Sequence, residues 1–97
     1  MSSHRARITE VFPMRLGGET LVDLTLETES ADGLAIPAPD ERVFLLMGEG
    51  GGERELTVWA APNIVGTRDQ GRFNLQFRRE DLAGVMPEVG MVIRIEG

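Results

Sequence analysis

Strict alternation of apolar and polar side chains over residues 72–78 is the feature that most constrains the fold of this chain. The apolar residues are Phe73, Leu75 and Phe77, and the polar residues are Arg72, Asn74, Gln76 and Arg78. Successive side chains of a β-strand point to opposite faces, so a period of two predicts a strand with one buried and one solvated face. Such a strand needs neighbours, and the chain is therefore expected to build a sheet.

Several other segments carry strand patterns. Residues 21–27, 55–60 and 91–96 also alternate, whereas residues 43–47 are apolar throughout, which is typical of a strand covered on both faces. Residues 6–16 and 64–67 are read as two more strands. Gly17 and Gly18 supply the positive φ angles of a tight hairpin turn, and Gly71 stands where a left-handed residue closes a second turn.

These patterns predict an all-β single domain spanning residues 1–97. The favoured architecture is a small β-barrel of about six to seven short strands, with a two-sheet β-sandwich as the alternative. At most one short helix is expected, near residues 79–86. Residues 1–5 are expected to fray, residues 29–42 to form a long structured loop, and residues 48–54 to form a mobile glycine-rich loop.

The side-chain inventory removes most kinds of covalent and metal chemistry. The sequence has no cysteine, lysine or tyrosine, and His4 is its single histidine. Disulfides, thiolate nucleophiles, cysteine-bound zinc and Schiff-base lysines are therefore excluded. His4 is expected to be exposed at the frayed end, so we name no catalytic residue, no metal site and no cofactor.

Acidic residues are concentrated in the middle of the chain. The formal net charge is -6, and residues 19–57 hold ten acids against two arginines. A solvated acidic surface explains this simply, but the block also favours a partner with a basic surface. One alternative function is therefore an inhibitor that imitates the charge of a nucleic acid and occupies a basic groove. The candidate acidic binding residues are Asp40, Glu41, Glu49 and Glu53.

The same acids leave a carboxylate-based enzyme open as a further alternative. Nothing in their spacing separates a catalytic pair from surface acids, and the pattern of a calcium-binding loop is missing. The glycines of residues 48–52 do not resemble a phosphate-binding loop, because acids interrupt them and no helix is expected to follow.

Four arginines form a candidate basic strip around the best-defined strand: Arg68, Arg72, Arg78 and Arg79. An oligonucleotide-binding barrel that uses the Arg72 and Arg78 face is the corresponding alternative. Cross-strand pairing of these arginines with acids explains them more simply, and an acidic chain disfavours nucleic acid as a partner.

Trp59 is the single tryptophan, and its position in the alternation is opposite to that of the core residues. Tryptophan is over-represented among residues that dominate interface energy, although a covered, structural tryptophan explains the pattern equally well. The chain has no apolar run long enough for a membrane span and no secretory leader pattern, so a cytoplasmic location is expected. The favoured function is a small, acidic, non-catalytic protein-binding or assembly module, acting as an adaptor or subunit and capable of forming a homo-oligomer.

Overall fold

A computed structural model describes residues 3–28, 37–48, 50–61, 71–82 and 84–96. Its strands are β1 (Ser3–Leu16), β2 (Glu19–Glu27), β3 (Arg42–Leu46), β4 (Glu53–Thr57), β5 (Arg72–Arg78) and β6 (Val92–Glu96). A 3-10 helix, Arg79–Leu82, follows β5. The prediction of an all-β chain with one short helix in this region is confirmed, while the strand expected at residues 64–67 lies outside the described residues.

All six strands pair antiparallel in one sheet with the order β4-β3-β6-β1-β2-β5. The described strands therefore do not form the two sheets of a sandwich. Their hydrogen-bonded order leaves β4 and β5 at the two edges. Ala60, just beyond β4, makes an isolated antiparallel bridge to Gln76 of β5.

One face of the sheet carries the hydrophobic core. Every strand contributes to a single cluster whose members include Ile8, Leu24, Val43, Leu45, Leu56, Phe77 and Ile93. The alternation predicted for β2, β5 and β6 places their apolar residues in this cluster. In β3 only Val43 and Leu45 are buried, whereas Phe44 and Leu46 are half-buried. The expectation that β3 is buried on both faces is wrong for Phe44 and Leu46, and among the described residues the Arg94 guanidinium group lies over the Phe44 ring.

A β-bulge at Thr9 divides β1 into two halves. Ile8 pairs with Leu26 and Glu10 pairs with Thr25, so Thr9 is the extra residue, and its hydroxyl donates to the Thr25 carbonyl oxygen at 3.3 Å. A bulge moves the following side chains to the opposite face from the one that simple alternation gives. After the bulge, the even-numbered residues of β1 therefore face away from the core, while Val11 packs against it.

The beginning of β1 is paired rather than frayed. Ser3 pairs with Glu96 and His4 with Ile95, so the expected fraying is wrong for residues 3–5. The expectation of an exposed His4 is also wrong, because the side chain is half-buried on the face that it shares with Ile95. Its Nε2 atom is buried without a hydrogen-bond partner in the described part of the chain.

The turn between β1 and β2 contains Gly17 and Gly18 at φ angles of 57° and 84°. Two successive positive φ values characterise a type I′ turn, as the glycine pair predicts. In a two-residue turn of this type, Leu16 and Glu19 form a hydrogen-bonded pair. Hydrogen-bonded and non-hydrogen-bonded pairs alternate along an antiparallel ladder, so Pro13 and Val22 form a non-hydrogen-bonded pair. The missing N–H of Pro13 consequently lies on the edge of β1 that faces away from β2.

The glycine-rich turn is shorter than expected, because Glu53 and Arg54 already belong to β4. Met47 N–H donates to the Gly52 carbonyl oxygen at 2.9 Å, which closes the turn. Of the predicted loop at residues 29–42, the structure describes residues 37–42, and Arg42 begins β3. Among the described residues, no helix is long and apolar enough to cross a bilayer.

Candidate functional site

The arginines of the predicted basic strip lie close to acids on neighbouring elements. Arg72 Nε is 3.7 Å from a Glu27 carboxylate oxygen, and Arg78 Nε is 3.8 Å from Glu19. A second acid, Glu80 of the 3-10 helix, is 3.9 Å from Arg78. Exposed pairs of this kind stabilise a fold only weakly, but they neutralise the face on which an anion would bind.

The remaining two arginines of the strip are not part of this pairing. Arg79 is exposed in the 3-10 helix and has no ion-pair partner among the described residues. Arg68 lies outside the described residues. The structure therefore brings Arg72 and Arg78 onto one strand face but forms no continuous unpaired basic strip in the part of the chain that it describes.

Between these arginines, a polar network covers the outer face of β2 and β5. The Asn74 amide donates to Asp23 at 2.7 Å and to the Thr25 hydroxyl at 3.1 Å. The Gln76 amide donates to the other Asp23 oxygen at 3.0 Å, and Gln76 is almost fully buried. Both oxygens of the Asp23 carboxylate therefore accept amide hydrogens, which suits a structural acceptor that holds two strands together.

Arg94 is the centre of a second polar cluster on the outer face. Its Nε and one terminal nitrogen donate to the two carboxylate oxygens of Glu53 at 2.7 and 3.0 Å, and the other donates to Glu96 at 2.6 Å. The guanidinium carbon lies 4.4 Å from the centre of the Phe44 ring, so a cation–π contact fixes it from below. The bidentate geometry is the strong form of an arginine–carboxylate pair.

These contacts shift two titrating groups. The hydrogen bond from Arg94 is the main cause that lowers the pKa of Glu53. Desolvation is the next largest effect and opposes it, while the charges of Arg94 and Arg5 lower the pKa further. The hydrogen bonds to Glu53 and Glu96 raise the pKa of Arg94. Glu53, which the sequence suggested as an acid for a basic partner, is thus engaged within the protein.

Two other candidate acids, Asp40 and Glu41, lie at the turn before β3. Asp40 is exposed with a positive φ of 72°, and its N–H donates to the Val58 carbonyl oxygen at 2.8 Å. A Glu41 carboxylate oxygen accepts from the Ala38 N–H at 3.0 Å, which stabilises the turn before β3. Glu49 lies outside the described residues. Within the described ranges, no three histidine, cysteine or acidic side chains are grouped so that they could hold a metal ion.

Trp59 is half-buried and lies between the two edges of the sheet. The preceding residue, Val58, is fully buried in the core, and the Trp59 N–H donates to the Gln76 carbonyl oxygen at 2.7 Å. Trp59 thus lies beyond the end of β4 and is less buried than Val58. Its use as an interface anchor stays a prediction.

The sequence reading missed an apolar surface on the β1–β2 hairpin. Phe12 and Leu16 are 64% and 51% exposed, and Met14 lies between them on the same outward face. We call these three residues the hairpin ridge. The Met14 sulfur contacts the Gln76 amide nitrogen at 3.7 Å, which anchors the ridge to the polar network. The only sequence signal was the apolar content of residues 11–16, because the bulge at Thr9 determines which of these side chains point outward.

A cleft opens where β3 and β6 separate. Leu46 and Val92 form the last pair between these strands. The cleft has a volume of 460 Å³ and its lining residues are Leu46, Met47, Gly48, Val89, Gly90, Met91 and Val92. We call it the β3–β6 cleft. Its lining is apolar, and Val89 is 65% exposed at its mouth.

Comparisons with known proteins establish the fold and go no further. No family model matches the chain, and no curated protein matches it in sequence. Among solved structures, it is similar to the siderophore-interacting protein from Acinetobacter baumannii, with a TM-score of 0.52 and 16% sequence identity. The match covers 100% of this chain and 40% of that chain. This chain therefore has the fold of a part of that longer protein.

Proposed function

We propose that this chain is a small, non-catalytic protein-binding or assembly module and that the hairpin ridge is its contact surface. The observation that carries the proposal is the exposure of Phe12 and Leu16 on one face of a well-paired hairpin. A cluster of large apolar side chains in water is costly, and such clusters commonly mark protein interfaces. Their burial by a partner would release this cost.

The occupant that fits best is a different protein with a basic surface. The net charge of -6 opposes the approach of a second copy and favours a basic partner. Pro13 also removes a backbone donor from the side of β1 that faces away from β2, where no described strand pairs with it, and this disfavours the addition of another strand at that place.

The internal engagement of candidate acids favours this module over the alternative of charge mimicry. Glu53 is held by Arg94, and Glu41 caps its own turn. Carboxylates that already accept strong hydrogen bonds offer less to a basic groove than free ones. Likewise, the neutralised Arg72 and Arg78 support the module over an oligonucleotide-binding surface.

The test is affinity capture from the native source with three forms of the protein. The wild type is compared with the double variant Phe12→Asp/Leu16→Asp and with Met86→Asp, a control that changes an exposed apolar residue outside the ridge. Far-ultraviolet circular dichroism verifies that each variant is folded. We expect the wild type and the control to retain a protein that the double variant loses. Retention should persist at about 0.5 M salt, because salt screens the attraction between charges but not apolar contacts.

Two results would overturn the proposal. If the double variant captures the same proteins as the wild type, the ridge is not the contact surface. If sedimentation shows a wild-type dimer that dissociates only in the double variant, the occupant is a second copy of the chain.

We further propose that the sheet curls until its edges meet as a barrel. Two facts support this: all six strands share one core cluster, and Ala60 beyond edge strand β4 bridges to Gln76 of edge strand β5. The Gln76 N–H donates to the Ala60 carbonyl oxygen at 2.8 Å. Amide hydrogen exchange tests the closure, since protection of the Gln76 N–H comparable with that in β2 is expected, and rapid exchange would contradict it.

A further inference from the structure

We infer that the hairpin ridge binds an amphipathic α-helix of a partner protein, whose apolar stripe lies along β1 and whose basic side chains contact Glu10 and Glu19. The inference rests on the proposed function, because it takes the ridge to be a protein contact. It adds the secondary structure and the charge of the partner element. Both follow from the side chains that surround the ridge on the outer face of the hairpin.

An unpaired acid lies at one end of the ridge. Glu10 follows the bulge, pairs in register with Thr25, and shares the outward face of β1 with the ridge residues. Its side chain is exposed and has no ion-pair partner among the described residues. Phe12 is two residues away, which is about 7 Å along a strand. A cation bound at Glu10 therefore lies beside the first apolar side chain of the ridge.

A second acid lies at the other end of the ridge. Glu19 pairs in register with Leu16, so the Cβ atoms of these residues are about 5 Å apart. Arg78 Nε is 3.8 Å from a Glu19 carboxylate oxygen, which is too far for a hydrogen bond. This Nε atom has no hydrogen-bond partner in the described part of the chain. The Glu19 carboxylate is therefore available to accept hydrogen bonds from a cation of the partner.

The charges around the ridge are mostly negative. Asp23 stands beside the ridge, opposite Phe12, and adds a third carboxylate. Glu80 of the 3-10 helix adds a fourth, 3.9 Å from Arg78. Among the described residues in this area, Arg78 supplies the one guanidinium group. The local balance thus has the same sign as the net charge of -6, and it attracts a cationic partner.

The other arginines of the hairpin lie outside this acidic area. Arg15 alternates with Met14 and Leu16, so it points to the opposite face of β1. Arg7 lies on the other side of the bulge and stands opposite Glu27, whose carboxylate is also 3.7 Å from Arg72. These cations leave the surroundings of the ridge acidic.

The geometry of the ridge favours a helix over a strand as its occupant. A strand joins a sheet through backbone hydrogen bonds, and Pro13 has no N–H to donate on the side of β1 that faces away from β2. The ridge instead presents side chains on a face of the hairpin. From Phe12 to Leu16 it extends about 13 Å, or about two and a half turns of helix. Apolar residues at i, i+4 and i+8 of a helix cover this length on one side.

The spacing of the acids determines how far apart the basic residues of the partner helix lie. Glu10 and Glu19 are separated by about 20 Å, because six residues of β1 lead from Glu10 to Leu16 and Glu19 stands directly opposite. A helix rises 1.5 Å per residue, so basic residues about 13 positions apart reach both carboxylates. The favoured segment is a helix with an apolar stripe between two basic ends.

Fluorescence anisotropy with a model helix tests the inference. The probe is a fluorescein-labelled peptide of about 16 residues, with arginine in its first and last turns, leucine at every third or fourth position between them, and alanine and glutamine elsewhere. In the control peptides, glutamate replaces arginine, the leucines are scattered around the helix, or prolines interrupt the helix. We expect each control to bind the wild type at least about tenfold more weakly than the probe does.

Variants of the protein locate the contact. Phe12→Asp/Leu16→Asp should weaken binding of the probe by about tenfold or more. Glu10→Gln and Glu19→Gln should each weaken it by about threefold, since exposed ion pairs contribute little. Glu55→Gln is the matched control, because it removes the same charge from β4, three strands away from β1 in the sheet, and it should leave binding unchanged.

Three results would overturn the inference. Equal binding by the Glu10, Glu19 and Glu55 variants would show that the acids beside the ridge do not select a cationic partner. Equal binding of the proline peptide and the probe would exclude a helix as the occupant. Sedimentation of the wild type with vesicles of phosphatidylcholine and phosphatidylserine, lost in Phe12→Asp/Leu16→Asp, would identify a lipid surface as the occupant instead.

Competition separates this inference from the proposed function. An excess of the probe should displace the protein that the wild type captures through the ridge. Ridge-dependent capture that the probe leaves intact would overturn the helix inference alone. Binding of the probe through the ridge, together with capture that does not depend on Phe12 and Leu16, would overturn the proposed function alone.

Discussion

Gly71 is the position at which a single added methyl group should be most informative. Its φ is +75°, and a Cβ atom placed on it would lie 2.4 Å from the Thr28 carbonyl oxygen. The same two residues are joined by a hydrogen bond of 2.8 Å from the Thr28 N–H to the Gly71 carbonyl oxygen. Gly71→Ala therefore imposes both a left-handed alanine and a collision with a backbone atom that is already fixed.

The expected cost follows from these two effects. A left-handed conformation costs a residue with a Cβ atom about 1–2 kcal/mol. Relief of the collision requires Thr28 to move, and loss of its hydrogen bond adds about 1 kcal/mol. We expect Gly71→Ala to lower the free energy of unfolding by about 2–3 kcal/mol, a large share of the stability of a small domain.

Gly18→Ala is the matched control. Gly18 has a φ of +84°, but no atom lies within 4 Å of the added Cβ, so this variant experiences the conformational cost alone. Urea unfolding followed by the fluorescence of Trp59 measures both variants. The midpoints should differ by about 1 M for a small domain. Equal midpoints would show that the close approach of Gly71 and Thr28 does not restrict the residue.

Three further predictions concern the polar clusters and the side of β1 that faces away from β2. The pKa of Glu53 is lowered in the folded state, so the ionised side chain stabilises the fold at pH values above the ordinary glutamate pKa of about 4.3. This contribution to the free energy of unfolding is lost as the pH falls through the lower pKa of the folded state. Glu53→Gln should therefore flatten the acid side of a stability–pH profile measured by urea unfolding, and an unchanged acid slope would contradict this. Asp23→Ala removes the acceptor of two amides, one on the nearly buried Gln76, and should cost about 1–3 kcal/mol in the same assay; a loss below about 0.5 kcal/mol would refute the structural role. Pro13→Thr restores an N–H to the side of β1 that faces away from β2, where no described strand pairs with it, and should increase self-association in sedimentation velocity. Behaviour like that of the wild type would mean that the proline does not protect this side of the strand.

Local patterns predicted the strands well. The alternation of residues 72–78 matches β5 from its first to its last residue, and the glycine pair forms the expected turn. Gly71 has the left-handed conformation that its place in the sequence predicts. These features depend on neighbouring residues along the chain, and a sequence displays such neighbours directly.

Features that depend on distant residues were not readable in this way. The pairing of β1 with β6 places His4 beside Ile95, and no local sequence pattern predicts that contact. The bulge at Thr9 similarly depends on the register with β2 and decides that Phe12 faces outward. Arg94 reaches across β3 to Glu53, so their pairing follows only from the strand order.

The candidate site shows the same division. The sequence identified the arginines of β5 and the half-covered Trp59, but it did not identify the hairpin ridge or the β3–β6 cleft. Both surfaces arise where strands separate or change register, and such places are defined by the three-dimensional arrangement alone.

The pairing of Ser3 with Glu96 has a consequence for protein architecture. Directly opposite residues of an antiparallel pair have Cα atoms about 5 Å apart, which is close to the distance between successive residues of one chain. A polypeptide that enters the module at residue 3 can thus leave it at residue 96 almost where it entered. The whole sheet could therefore be spliced into a surface loop of a host protein without separating the two ends of that loop.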